Sequence, residues 1–282
     1  MIQCQNVYKR FNKKTVINRI NLEIPDGQIF GLLGPSGAGK TTLIKILTDQ
    51  LTFDSGSVTI LNKSVKILTG EDKKKIGIMM EQFGVYERLS CIDNLKIYAD
   101  IYGISHEKAK ETLEYVGLGE AINKPASHLS KGMGVRLRLA RVFMHSPEII
   151  FLDEPTSGLD PMSMKTIHKI ILEKKREGCT IFLTTHNMEE AASLCDTVAL
   201  LNDGVIVEQG EPKEICRKYN KKKKIILHLW NGEDMELPHE NESAKKICDL
   251  LKANEIATIH SSEPTLETVF LELTGRNLQE EE

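Results

Sequence analysis

Long apolar runs are missing from this sequence. Stretches such as residues 149–152 and 198–201 stop well short of the ~20 residues that a hydrocarbon core demands, so no membrane-spanning helix is expected. An apolar leader is missing too, because residues 1–10 carry polar side chains where a signal peptide would place its hydrophobic stretch. Nor is there an excess of one charge. Lysine and arginine number 37 against 40 acids, and a net charge of −3 gives no electrostatic case for a nucleic-acid partner. The six cysteines, Cys4, Cys91, Cys179, Cys195, Cys216 and Cys248, are scattered with no CxxC and no histidine pair at zinc spacing, so they read as reduced thiols. Internal repeats of 20–50 residues are absent, which excludes solenoids and propellers.

What is present is a chain of 282 residues, 40% apolar and 27% charged, long enough for one large domain or two ordinary ones. Its charge is uneven. From residue 221 onward there are 8 basic and 13 acidic residues, which leaves 29 basic against 27 acidic for residues 1–220 and marks a first boundary. Residues 28–33 (QIFGLL) have a short buried-strand pattern, residues 34–41 (GPSGAGKT) a glycine loop, and residues 42–48 helical apolar spacing. Further strand-like runs fall at 76–80, 148–152, 180–184, 197–201 and 205–208 with amphipathic stretches between several of them, the pattern of an α/β sheet covered by helices. Residues 91–146 show helical patterns broken at Gly103, Gly117, Gly119 and Pro125 and read as a helical insertion. The lysine run 221–224 reads as a linker, after which 225–230 is strand-like. In 264–274 (PTLETVFLELT), Leu266, Val269, Phe270 and Leu273 share one helical face behind Pro264 and Thr265.

The glycine loop has the form G-x-x-x-x-G-K-T. Its glycines let successive N–H groups turn inward as an anion nest, and the helix that follows adds the positive end of its dipole. Lys40 is placed to reach the terminal phosphates of a nucleotide, and the Thr41 hydroxyl to ligate Mg²⁺. The loop alone leaves kinase, GTPase, helicase and transport ATPase open. Residues 149–154 (IIFLDE) narrow the choice, since a buried strand ending in two carboxylates offers Asp153 to the magnesium shell and Glu154 as acceptor of a proton from attacking water.

Together these motifs resemble, in order, the nucleotide-binding subunits of ABC transporters over residues 1 to about 215. Gly34, Pro35, Ser36, Gly37, Ala38, Gly39, Lys40, Thr41 and Thr42 are similar to the Walker A loop, and residues 149–154 to the Walker B strand. Residues 157–160 (SGLD), ending in Asp160, are similar to the D-loop, and His186 in TTH to the switch histidine. Phe11 stands where the family stacks an aromatic on adenine, with Tyr8 as the alternative in another register. The signature loop departs from the usual LSGGQ and reads LSKGM at 129–133. Ser130 and Gly132 remain, so that a hydroxyl and a flexible backbone can meet the γ-phosphate on a partner subunit. In the Q-loop, ungapped counting from Ile76 puts Glu81 where glutamine is usual, with Gln82 beside it.

The resemblance implies an α/β fold, a P-loop NTPase cassette of mixed sheet with a helical subdomain at about 91–146, spanning 1–220, and a small α+β extension over 221–282. It also implies ATP and Mg²⁺ as ligands and ATP-dependent dimerisation with itself or a paralogous ATPase subunit. The LSKGM loop and residues 264–275 are similar to those of drug- and antibiotic-exporting subunits, which implies an integral membrane permease of the ABC-2 type as partner and a place on the cytoplasmic face of the membrane. A rival reading, a soluble ABC-type clamp on ribosomes or DNA, sits poorly with a single cassette and no sustained heptads.

Overall fold

The computed structural model describes residues 1–80, 85–221, 223–261 and 264–275. The chain opens with strands β1 (Ile2–Phe11), β2 (Lys14–Ile24) and β3 (Ile29–Leu33), then helix α1 (Lys40–Leu47). Strands β4 (Ser55–Ile60) and β5 (Lys63–Ser64), the short helix α2 (Gly70–Lys74) and β6 (Ile76–Met79) follow. Helices α3 (Cys91–Tyr102), α4 (His106–Tyr115) and α5 (Lys131–Phe143) form the helical insertion. The sheet resumes with β7 (Ile149–Asp153), α6 (Pro161–Arg176), β8 (Thr180–Thr185), α7 (Met188–Leu194), β9 (Thr197–Asn202), β10 (Val205–Gly210) and α8 (Pro212–Tyr219). Last come β11 (Lys224–Leu229), β12 (Asp234–Pro238), α9 (Asn241–Lys252), β13 (Ile256–Ser261) and α10 (Leu266–Thr274).

Six strands make the central sheet in the order β10-β9-β3-β8-β7-β6, parallel except for β10. Every residue of β3, β7 and β8 is buried, which is why they read as unbroken apolar runs: a parallel sheet is covered on both faces. One face carries α3 to α7. The other faces an antiparallel sheet, β2-β1-β4-β5, that the apolar runs did not reveal. Phe30, Phe151 and Phe182 fill the space between the two sheets, with ring centroids 5.3 and 5.6 Å apart along the row. The insertion is helical as expected. Serines cap its three helices, Ser90, Ser105 and Ser130 each accepting a backbone N–H, and Gly103 ends α3 in the left-handed conformation that glycine allows at least cost.

Beyond residue 220 the packing divides differently from the charge. Strands β12-β11-β13 and α9 enclose a small core of Leu227, Leu229 and Leu237. Helix α10 does not join it. Leu266, Val269 and Phe270 sink instead into the large helical-face core with Met188, Ala191 and Leu194 of α7 and Ile215 of α8. The expected linker is also more engaged than a solvated run, since Lys221 pairs with Glu272 of α10 and Lys224 with Glu236 of β12.

Candidate active site

Strand β3, in the middle of the sheet, delivers the glycine loop to the C-terminal end of the parallel strands, where two glycines take backbone shapes that other residues resist. Gly37 and Gly39 have φ of 77° and 111°, and a Cβ on Gly39 would lie 2.8 Å from the Val16 carbonyl. Gly34 is fixed by crowding instead, because a Cβ there would stand 2.3 Å from the Leu201 carbonyl of β9. Gly39 caps α1 without a side-chain bond, and the first turn of the helix holds no acid, so its N–H groups are left for an anion. Pro35, Ser36 and Ala38 complete the loop, and Thr42 follows half-buried on α1.

Lys40 is buried. Its ammonium donates to the carbonyls of Gly34 at 2.7 Å and Pro35 at 3.2 Å and lies 3.2 Å from Glu154 Oε1. Thr41 Oγ1 donates to Asp153 Oδ2 at 2.9 Å, and Thr184 Oγ1 donates to Asp153 Oδ1 at 2.6 Å. The hydroxyl and the carboxylate paired in the sequence reading are therefore in contact. Glu154 leaves β7 with φ of 48°, a left-handed backbone that costs roughly 1–3 kcal/mol in a non-glycine residue. Its N–H is held by the Thr184 carbonyl at 3.1 Å and the Thr184 hydroxyl at 3.2 Å, and its Oε2 meets His186 Nδ1 at 2.9 Å.

These contacts set the charge states. Burial pushes the Glu154 carboxyl up, but the hydrogen bond from His186 and the nearby Lys40 ammonium outweigh it and hold the group below the usual carboxylate range. For His186 the hydrogen bond to Glu154 dominates and raises its pKa against the opposing effect of burial. Glycine loop, Lys40, Thr41, Glu154, Ser157 and His186 border one cleft of about 270 Å³.

The remaining residues of the sequence reading lie around this centre. Phe11 is 44% exposed at the β1–β2 turn with the Lys9 ammonium 5.2 Å from its ring centroid, whereas Tyr8 is half-buried and tied by its hydroxyl to Thr15. Asp160 caps α6, accepting from the N–H groups of Met162 and Ser163, and the bonds from Ser163 and Met162 lower its pKa. Ser130 caps α5 by accepting from Met133 N–H at 3.3 Å. Gly132, expected to supply flexible backbone, is buried inside α5 and acts as a spacer: a Cβ would fall 2.5 Å from Ser163 Oγ of α6. Among the described residues, no hydrogen bond or ion pair joins 129–133 to the glycine loop. Glu81 and Gln82 lie outside the described residues. Sequence reasoning missed Val16, which borders the cleft, and Thr184, which holds the Asp153 carboxylate and the Glu154 backbone N–H. The threonine run before His186 was the available signal for the second.

The family described as ABC transporter matches residues 17–157. The linearmycin resistance ATP-binding protein LnrL of Bacillus subtilis (strain 168) is 32% identical over 311 residues, covering 99% of this chain and 100% of the relative. A fluoroquinolones export ATP-binding protein of Mycobacterium tuberculosis (strain CDC 1551 / Oshkosh) is 38% identical over 256 residues, covering 89% of this chain and 85% of the relative. Among solved structures, a dimeric ATP-binding cassette in a post-hydrolysis state bound to ADP and Pi superposes with a TM-score of 0.67 at 25% identity, covering 75% of this chain and 98% of that one. With the glycine loop, the paired carboxylates and the histidine gathered at one cleft, and relatives that match nearly end to end, this chain belongs to the ABC transporter family and carries its ATPase domain.

Proposed function

We propose that this chain is the ATP-hydrolysing subunit that powers export of a drug, antibiotic or peptide through a separate integral membrane permease of the ABC-2 type, on the cytoplasmic face of the membrane. The carrying observation is the convergence of Lys40, Glu154 and His186 at the cleft beside the glycine loop. Relatives named for linearmycin resistance and fluoroquinolone export support the direction of transport. In this reading 1–220 is the ATPase cassette and 221–282 an accessory region, anchored through α10.

The residues suit a nucleotide with a hard divalent cation. Thr41 and Asp153 present one hydroxyl and one carboxylate side by side, and the described residues hold no group of three His, Cys, Asp or Glu able to grip a metal on their own. That donor set fits Mg²⁺, which keeps several waters and binds through one or two protein oxygens plus phosphates. When bound there it would neutralise charge developing on the phosphates. The nest N–H groups and Lys40 hold the phosphate chain. A phosphate entering the nest competes with Glu154 for the Lys40 ammonium, and as the lysine turns the carboxylate loses one of the cations that depress its basicity. Glu154 then takes the proton of attacking water while His186 keeps the carboxylate oriented. Phe11 offers an exposed ring for adenine, and Glu81 or Gln82 fills the Q-loop position. The exposed Ser130 at the start of α5 faces a second subunit, either another copy or a paralogue, with Gly132 behind it setting the close packing of α5, so that two chains complete each other's sites across a twofold axis.

Replacing Glu154 with Gln is expected to slow steady-state turnover by about 10²–10⁴-fold and to trap an ATP-bound dimer, read by phosphate release and light scattering. Near-normal turnover would remove the base assignment. Co-purification from detergent extracts with a multi-spanning protein tests the transport role, and recovery on ribosomes or DNA instead would replace it.

A further inference from the structure

Glu190 is a buried carboxylate with no part in the chemistry described so far. It sits in the first turn of α7, 3% exposed, where a helix-starting glutamate ordinarily points to water. Its side chain turns inward and gathers three elements. Oε1 accepts from Thr156 Oγ1 at 2.5 Å and meets His168 Nε2 of α6 at 2.7 Å, and Oε2 accepts from Thr185 Oγ1 at 2.9 Å.

Two of these partners adjoin the reacting groups. Thr156 follows Glu154 by two residues, and Thr185 immediately precedes His186. The loop that presents His186 is stapled on its other side as well: Asn187 N–H donates to Thr185 Oγ1 at 3.0 Å, and Glu190 N–H donates to Asn187 Oδ1 at 2.9 Å. The Glu190 carboxylate therefore holds the chain just before the histidine and just beyond the glutamate, its backbone N–H holds Asn187 just after the histidine, and the side chains of Glu154 and His186 meet 2.9 Å apart. The His186 side chain itself is half-exposed.

We infer that Glu190 is a positioning residue for hydrolysis: by tying Thr156 to Thr185 it sets the separation and orientation of Glu154 and His186. This rests on the proposed roles of those two residues. A hydrogen bond to a carboxylate is short and directional, and a shift of about 1 Å at a reacting group can cost about 10²-fold in rate, so a buried acid shared by two catalytic loops is an efficient way to fix their geometry. Among the described residues, no hydrogen bond or ion pair joins Lys40 or the glycine loop to Glu190, Thr156 or Thr185, so nucleotide binding is not expected to depend on the network.

The test uses the full chain with Mg·ATP. Glu190→Gln keeps the volume but has one acceptor oxygen fewer, and it is expected to lower kcat about tenfold while KM and equilibrium nucleotide affinity stay within about twofold. In a His186→Ala background the same substitution is expected to add less than about twofold, since a residue acting through the histidine has nothing left to position. Thr185→Val, which deletes one hydroxyl, carries the same two expectations should Glu190→Gln fail to fold. An unchanged kcat in folded variants overturns the inference. So does a full repeat of the loss on top of His186→Ala, which would mark Glu190 as a scaffold residue only. If His186→Ala alone turns over normally, the reading of the histidine fails and the inference falls with it; if His186→Ala is impaired and Glu190→Gln is additive, only the inference fails.

Discussion

The sheet that carries the active site and the sheet beyond residue 220 are built on opposite plans. The first has strands buried on both faces between two layers of side chains, so Asp153 and Glu154 emerge from the end of a strand that nothing lets move. The second is covered on one side only, with three buried leucines, and its open face is laced by exposed polar contacts, the Lys224–Glu236 ion pair and the His228–Asp234 hydrogen bond. Exposed pairs of this kind contribute about 0–1 kcal/mol each, far less than a buried aromatic side chain. Precision therefore resides in the cassette, and among the described residues of the C-terminal region α10 is the element whose apolar side chains sink into the cassette core.

Lys40→Ala is expected to have the largest effect, a loss of turnover of at least about 10³-fold together with weakened nucleotide binding, because under the proposed function its buried ammonium meets the phosphates and no other lysine or arginine lines the cleft. Unchanged ATP affinity and rate would remove the lysine from the site. Phe270→Ala is expected to cost about 3–5 kcal/mol of cassette stability in denaturant unfolding, since its ring is buried among α7 and α8 rather than in its own region. Leu227→Ala should cost about 2–3 kcal/mol, at the low end for leucine because a thin core can collapse, and the loss should be confined to the C-terminal sheet. Hydrogen exchange should then rise across 224–261 with kcat unaltered. A fall in kcat would mean that the two sheets are more tightly coupled than their cores imply.

The smallest effect concerns charge. His186, raised above its ordinary 6.5 by Glu154, should titrate in NMR with a higher midpoint that returns toward 6.5 in Glu154→Gln. Because the folded value is the higher one, the protonated imidazole stabilises the fold fully below the unfolded pKa, and that contribution disappears as pH rises through the folded midpoint. A midpoint untouched by Glu154→Gln would show that the contact is not made in solution.

The parallel strands were legible because burial on both faces leaves an unbroken apolar run. β1 was not. A register shift between Cys4 and Val7, with Asn6 at a positive φ, breaks the alternation by which a half-buried strand is recognised. The glycine loop and Lys40 were readable for a related reason: phosphate binding needs glycines and a lysine in fixed order, and that order lies within one short segment. Thr184 and Glu190 escaped because their roles arise only when β7, β8, α6 and α7 converge, and each looks locally like an ordinary strand threonine or a helix-starting acid. Gly132 shows the opposite error. A glycine in a loop motif reads as freedom, yet here its lack of a side chain brings α5 and α6 together.

Helix α10 also bears on how the protein is made. Synthesis proceeds from the N-terminus at roughly 5–20 residues per second, so every catalytic motif up to His186 leaves the ribosome several seconds before Phe270 does. During that interval α7, which follows the histidine directly, lacks the apolar surface that covers it in the finished molecule. A nascent or truncated chain would thus hold Lys40, Glu154 and His186 on an unfinished core, and the covering of α7 is completed only when nearly the whole polypeptide has been made.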